Sequence, residues 1–322
     1  MKRVMRVFSI LLMLVGAGIC MYPKMAELYG EYSRKMVIKE FVKESKVSAQ
    51  TPFWDNTDNI PQQETDRENK DEEEKNKLKN LYQELKDYNE EIFTENQKDL
   101  KDAFSYEDSC FDLTKYGWKE NIIAVLWIPR LNQELPVYLG ATKENMKKGA
   151  VLLGQTSMPL GGENSNCVIA AHRGGGTTAM FRNIQLLQIG DKIQLDTVFE
   201  TLIYRVSKVE IILPDQVEKI MISPGEDKIT LMTCHPYTKN THRYLVTALR
   251  SKEESKSKKE DKNELTKIEE KEILPVAEEV LPDSGIRYSQ TQIYLERYGT
   301  LAGILILLYV IIRLLFTTNL HK

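Results

Sequence analysis

The sequence predicts an all-β core, a closed β-barrel, carrying an N-terminal helical extension and framed by two transmembrane helices. Three observations lead there. Between Trp118 and Arg250 the chain breaks into short runs rich in Val, Ile, Leu and Tyr, separated by Gly, Pro and polar turns. Upstream, Leu78, Leu81, Tyr82, Leu85, Tyr88 and Ile92 recur at steps of three and four, the period of an amphipathic helix. Both ends of the chain are strongly apolar.

The first element, residues 4–22, follows Met1-Lys2-Arg3 and is interrupted mainly by Arg6 and Ser9. At about 1.5 Å per residue this length just crosses about 30 Å of hydrocarbon. A cleaved signal peptide shares the basic start and apolar centre, but Ala17-Gly18-Ile19-Cys20 puts a bulky Ile where a cleavage site wants a small residue. An uncleaved anchor is therefore expected. The last element, residues 298–318, is rich in Leu and Ile, with Arg313 close enough to its end to snorkel to headgroups. Lys2, Arg3 and Arg6 on the N-terminal side of the first span, with Arg313 and Lys322 at the far end of the second, put both termini in the cytoplasm and the centre outside.

Residues 23–117 form the extension. Thr51 to Glu64 is a polar stretch with two prolines, and the periodic helix follows it. Its apolar stripe has to cover something, most economically the domain after it. Residues 118–250 form the barrel, with strands expected at IIAVLWIPRL, LPVYLG, CVIAAH, KIQL, TLIYRVSKVEIILP, KITLMTC and YLVTAL. About 130 residues are enough for one good core. Residues 251–297 begin SKEESKSKKEDKNELTKIEEKE, too poor in large apolar side chains to fold, and read as a charged tether to the second span.

Composition excludes some functions. A formal net charge of -3 gives no basic excess of the kind nucleic-acid binding uses. The four cysteines, Cys20, Cys110, Cys167 and Cys234, contain no CxxC, so a structural zinc site is not indicated. Cys110, Cys167 and Cys234 all fall in the outer part and cannot all pair with one another. Whether Cys110 and Cys167 do is left open.

Cys234 ends the apolar run ITLMTC, where a strand gives way to a loop. An ordinary thiol, with a pKa near about 8.5, is only a few per cent thiolate at neutral pH, so a nucleophile needs a cation or a base beside it. His172 ends CVIAAH and precedes Arg173 and Gly174-Gly175-Gly176, a good position from which to face a cleft. His235 and His242 read as ordinary polar turn residues, and the pleat turns His235 to the face opposite Cys234. His321 lies at the cytoplasmic tip. Arg243 opens YLVTAL after an eight-residue connection from Cys234. If the two strands are antiparallel neighbours, its guanidinium stands beside the thiol, where it can donate hydrogen bonds to an oxyanion.

At this point the sequence resembles a family. Thr230-Leu231-Met232-Thr233-Cys234 is similar to the TLxTC signature of sortases, with Arg243 at the place of their arginine and Ala171-His172-Arg173 at that of their histidine strand. IPRLNQELPVYLGAT, GAVLLGQTSMPLGGENSNCVIAAHRG and MFRNIQLLQIGDKIQL extend the match across 118–250. CHPYTKNTHRYLV resembles CTPYxxNTHRLLV of the class C, pilus-assembling members, which carry a lid with an Asp-Pro-aromatic motif before the barrel. Here Asp102-Ala103-Phe104 stands at that place, with alanine for the proline. Pro52-Phe53-Trp54-Asp55 has a similar composition but lies on the wrong side of the helix.

The resemblance implies a cysteine transpeptidase that cleaves an LPXTG-like sorting signal of a secreted protein between Thr and Gly. Cys234 would be the nucleophile, His172 the general acid and base, and Arg243 the oxyanion partner. Asp102 and Phe104 would form the lid, and Thr233 and Thr241 are candidate substrate-binding residues. The acceptor amine would come from a pilin lysine. Alternatives are a cell-wall cross-bridge amine, or a non-catalytic membrane scaffold, against which Cys234, His172 and Arg243 argue. The bilayer and the sorting-signal proteins are the expected partners; no metal or cofactor is implied.

Overall fold

In the computed structural model, residues 2–46, 65–109, 111–174, 179–236, 239–251 and 303 are described, and the apolar runs of the centre close into a barrel. Its strands are β1 (Ile122–Ile128), β2 (Gln133–Leu139), β3 (Ala150–Leu152), β4 (Ser165–Ala170), β5 (Lys192–Thr197), β6 (Thr201–Ile212), β7 (Asp227–His235) and β8 (His242–Arg250). The order around the barrel is β1-β2-β3-β4-β7-β8-β6-β5, and β1 pairs back to β5. Pairing is antiparallel except for β2 with β3 and β4 with β7. The sequence runs account for every one of these strands but β3. With three residues, Ala150–Leu152, that strand is too short to show a period of its own.

β1, β3, β4 and most of β7 are buried along nearly their whole length. Strands covered on both faces read as unbroken apolar runs rather than alternating ones. The pleat sorts them into two clusters. Ile229, Leu231, Cys167, Ile169, Ala171, Tyr244 and Val246 share one with the helical extension. Met232, Val168, Ala170 and Leu245 share the other, with Ile38, Phe41, Leu100 and Ala103.

The extension contains α1 (Lys2–Lys46) and α2 (Thr65–Thr94); a short helix, α3 (Lys143–Lys148), leads into β3. As its stripe predicts, α2 lays Leu81 and Leu85, both fully buried, against the barrel core. Burying each such leucine stabilises the packing by about 1.5–3 kcal/mol. Asn89 fixes the register, accepting from Met158 N–H at 2.7 Å and donating to Met158 C=O at 3.2 Å. Tyr82 meets Phe199, and Tyr88 meets Phe111, edge to face.

α1 departs from expectation. The helix that begins at Lys2 does not stop with the element expected at residues 4–22 but continues to Lys46. Gly30, Arg34, Ile38 and Phe41 turn inward on successive turns, so the barrel supplies the contact that local sequence does not announce. Among the described residues no helix is long and apolar enough to cross a membrane, so the two expected transmembrane helices are not supported by the structure. The side chains of 2–14 lie outside what is described, as does 298–318 apart from Gly303. Cys110, the 252–297 tether and Pro52–Asp55 also fall outside it.

Candidate active site

Strand register alone brings the three candidate groups together. In the antiparallel pair β7–β8, Cys234 stands directly opposite Arg243. On the other side of β7, the parallel strand β4 is in step to Ala170 opposite Met232. Beyond it, Ala171 N–H donates to Met232 C=O at 3.1 Å, and the Thr233 hydroxyl donates to Ala171 C=O at 2.7 Å. One residue further, His172 is level with Cys234. Three neighbouring strands therefore end with His172, Cys234 and Arg243 side by side.

Parity puts them on one face. Ala170, Met232 and Leu245 belong to the cluster that contains Ala103 and Leu100, and side chains two apart along a strand share a face. His172, Cys234 and Arg243 follow the same alternation. Thr233, with the opposite parity, is fully buried, and its hydroxyl is committed to Ala171. It fixes the end of the His172 strand rather than offering a free hydroxyl. Thr241 is exposed in the connecting turn, with Oγ1 2.9 Å from His242 Nδ1.

The face is roofed by the segment after α2. Asp102 caps a one-turn 3-10 helix, Ala103–Ser105, its Oδ2 accepting from Phe104 N–H at 3.1 Å. The same carboxylate takes two bonds from Arg243: Nε to Oδ1 at 2.6 Å and Nη2 to Oδ2 at 2.7 Å. Arg243 Nη1 donates to the carbonyls of Asn240 and His242 at 3.1 and 3.0 Å. The Phe104 ring lies 4.8 Å from the guanidinium and 5.8 Å from the His172 ring. Ala103, at the proline position of the lid motif, is completely buried, so a methyl group seats the turn in the core.

Gln97 braces the base of this roof and has no signature in sequence. It is buried, donates to Gln155 C=O at 2.7 Å and accepts from Ile222 N–H at 2.6 Å. Its φ of 49°, beside positive φ at Asn96 and Asp99, turns the chain sharply out of α2. Polar residues after a helix usually mark a solvated loop, so only the three-dimensional partners reveal this anchor.

Burial pushes the Cys234 thiol up, and Asp102 adds to this, while Arg243 opposes it. Burial also lowers the His172 imidazole. Burial alone would lower the Arg243 guanidinium, but its bonds to Asp102 carry it above its ordinary value. With the roof closed, the site holds a neutral thiol and a neutral imidazole, and the one fixed cation is neutralised. Taking Asp102 away would leave Arg243 to favour the thiolate.

Comparison with known proteins agrees with this geometry. The model of the Sortase domain family matches residues 126–251. Sortase A of Bacillus anthracis is 32% identical over 128 residues, 40% of this chain and 59% of that protein. Sortase D of Bacillus subtilis is 27% identical over 114 residues, 35% of this chain and 54% of its own. The chain thus spans a little over half the length of these curated relatives. Among solved structures, sortase C1 of Pilus Island 1 from group B Streptococcus is 32% identical, covering 54% of this chain and 89% of its own, with TM-score 0.50. Sortase C2 of the same island is 29% identical, covering 55% and 98%, with TM-score 0.50. The matched residues span the barrel from within β1 to the end of β8, with His172, Cys234 and Arg243 among them, and the chain belongs to the sortase family.

Proposed function

We propose that this protein is a cysteine transpeptidase of the pilus-assembling class, acting on secreted proteins that carry an LPXTG-like sorting signal. The observation that carries this reading is the alignment of His172, Cys234 and Arg243 on one face at the ends of three adjacent strands. The closed roof of Asp102 and Phe104, and the likeness to two pilus-island sortases, favour the pilin acceptor.

The chemistry is an acyl exchange. Once the roof lifts, Cys234 passes its proton to the neutral His172 imidazole, Arg243 favouring the thiolate, and the sulfur attacks the carbonyl carbon between Thr and Gly of the signal. The carbonyl π electrons move to oxygen, and the freed guanidinium donates to that oxyanion. As the tetrahedral centre collapses, the C–N bond breaks, and protonated His172 gives its proton to the departing glycine amine. The remaining thioester is attacked by a lysine amine of a pilin. His172 takes that amine's proton, an amide forms and Cys234 leaves as thiolate. Proton transfer is all the cycle requires, so it calls for no cofactor. The apolar segments 4–22 and 298–318, with the charges around them, support a membrane-anchored enzyme with its barrel outside the cell.

The test is mass spectrometry of the purified protein with a sorting-signal peptide. A thioester on Cys234, absent in Cys234→Ala while the barrel melts normally, supports the reading. Absence of any Cys234-dependent adduct, even with Asp102 removed, sinks it. Offering the thioester a lysine-bearing pilin domain or a cross-bridge peptide then separates pilus assembly from wall anchoring.

A further inference from the structure

Each of the three active-site residues has a neighbour that the pleat turns to the opposite face: Arg173 after His172, His235 after Cys234, and Tyr244 after Arg243. These neighbours also meet. Arg173 Nη1 lies 2.8 Å from His235 Nδ1, and its Nη2 donates to Gln185 Oε1 at 2.7 Å. The Arg173 guanidinium stands 5.6 Å from the Tyr244 ring centre, and the His235 ring is 5.8 Å from the same ring. Arg173 and Tyr244 are both nearly inaccessible to solvent.

We propose that Arg173, His235 and Tyr244 form a positioning cluster that locks the ends of β4, β7 and β8 from behind, so that His172, Cys234 and Arg243 keep their alignment when the roof opens. The need for such a lock is visible in the closed state. There Asp102 and Phe104 tie Arg243 and His172 from the front, and both ties are lost on opening. The regular pairing of β4 with β7 ends at Ala170 opposite Met232, and beyond it the two strands are joined by the bonds of Ala171 to Met232 and Thr233, one residue short of His172. The Arg173–His235 bond spans that gap. Arginine is a donor only, so Nδ1 of His235 accepts and its proton resides on Nε2. Tyr244, with its ring against both, extends the lock to the arginine strand.

The proposal rests on the transpeptidase reading, so its test has an arm that needs no sorting signal. His235→Leu removes the acceptor; His235→Asn restores one at about the place of Nδ1. The first arm follows iodoacetamide alkylation of Cys234 against pH, by peptide mass spectrometry, in the Asp102→Ala background. The second follows acylation by a sorting-signal peptide, separating kcat from KM. With Arg243 displaced from the thiol, His235→Leu is expected to move the alkylation profile to higher pH. It should also lower kcat by about tenfold or more, since displacements near 1 Å cost about that or more. KM should stay within about twofold and the melting temperature near that of the parent, while His235→Asn returns both readouts most of the way. Parent-like behaviour of His235→Leu overturns the proposal, as does equal impairment of the Leu and Asn variants. If His235→Leu does not fold, Gln185→Leu, which frees the other arm of Arg173, is held to the same two outcomes. A parent that alkylates normally but never acylates would defeat the transpeptidase reading, and the alkylation arm would still decide the cluster.

Discussion

Asp102 holds Arg243 with both carboxylate oxygens, at 2.6 and 2.7 Å, across 141 residues of sequence. The remaining nitrogen of the guanidinium is taken by the Asn240 and His242 carbonyls. In this state four of the five guanidinium N–H donors of Arg243 are committed, and its charge is spent on the carboxylate. The contact that closes the site is therefore also the one that silences it.

Removing that carboxylate should change the ionisation of the nucleophile. Asp102 raises the Cys234 thiol, so Asp102→Ala lowers it and enlarges the thiolate fraction at neutral pH. Each unit of such a shift is worth about tenfold in thiolate below the midpoint. Alkylation of Cys234 at neutral pH is expected to quicken, its profile moving to lower pH. An unmoved profile would show that Asp102 does not reach the thiol.

Phe104→Ala separates cover from charge. The ring lies over Arg243 and against His172 but carries no charge of its own. Its loss should speed alkylation and, because burial is the main cause of the raised thiol, also move the midpoint to lower pH. An unchanged rate and midpoint would show that the ring does not cover the thiol.

How much of this was legible beforehand depends on the reach of each interaction. The β7–β8 pairing that sets Cys234 against Arg243 follows from two apolar runs and a short connection, because local signals determine it. His172 comes from a strand sixty residues earlier. Its place was drawn from the family likeness, and the parallel β4–β7 register supplies the physical reason. Gln97 and the Arg173–His235 bond left no trace in periodicity, since a buried polar residue has the same letter as an exposed one. The inward face of α1 was missed for a related reason: Gly30 and Arg34 are not apolar, so the stripe they share with Ile38 and Phe41 has no clear hydrophobic period. β3 was simply too short.

Arg243→Lys tests the oxyanion role apart from charge. A lysine keeps a cation beside Cys234 but cannot reproduce the planar fork that grips Asp102 and would grip an oxyanion. Acylation by a sorting-signal peptide should fall by about 10²–10³-fold, the usual effect of losing an oxyanion donor. Alkylation, which forms no oxyanion, should stay within a few-fold of the parent. Equal losses in both reactions would point to a misplaced cysteine instead.

The last prediction concerns stability against pH. Burial lowers the imidazoles of His172 and His235, with Arg173 and His242 adding to the effect at His235. An unfolded chain, with ordinary histidines near about 6.5, then binds protons more readily than the folded one. Stability contributed by these two groups is therefore complete above about pH 6.5 and is lost as pH falls through that value toward their lowered folded values. Glu134 and Glu200, raised by burial, pull the other way, gaining stability as they protonate. The histidine part is isolated by comparing melting temperatures of the parent and of His172→Gln/His235→Asn between about pH 7.5 and 5.5. The parent should lose more on acidification than the double variant. Parallel losses in the two proteins would show that neither imidazole is held neutral by the fold.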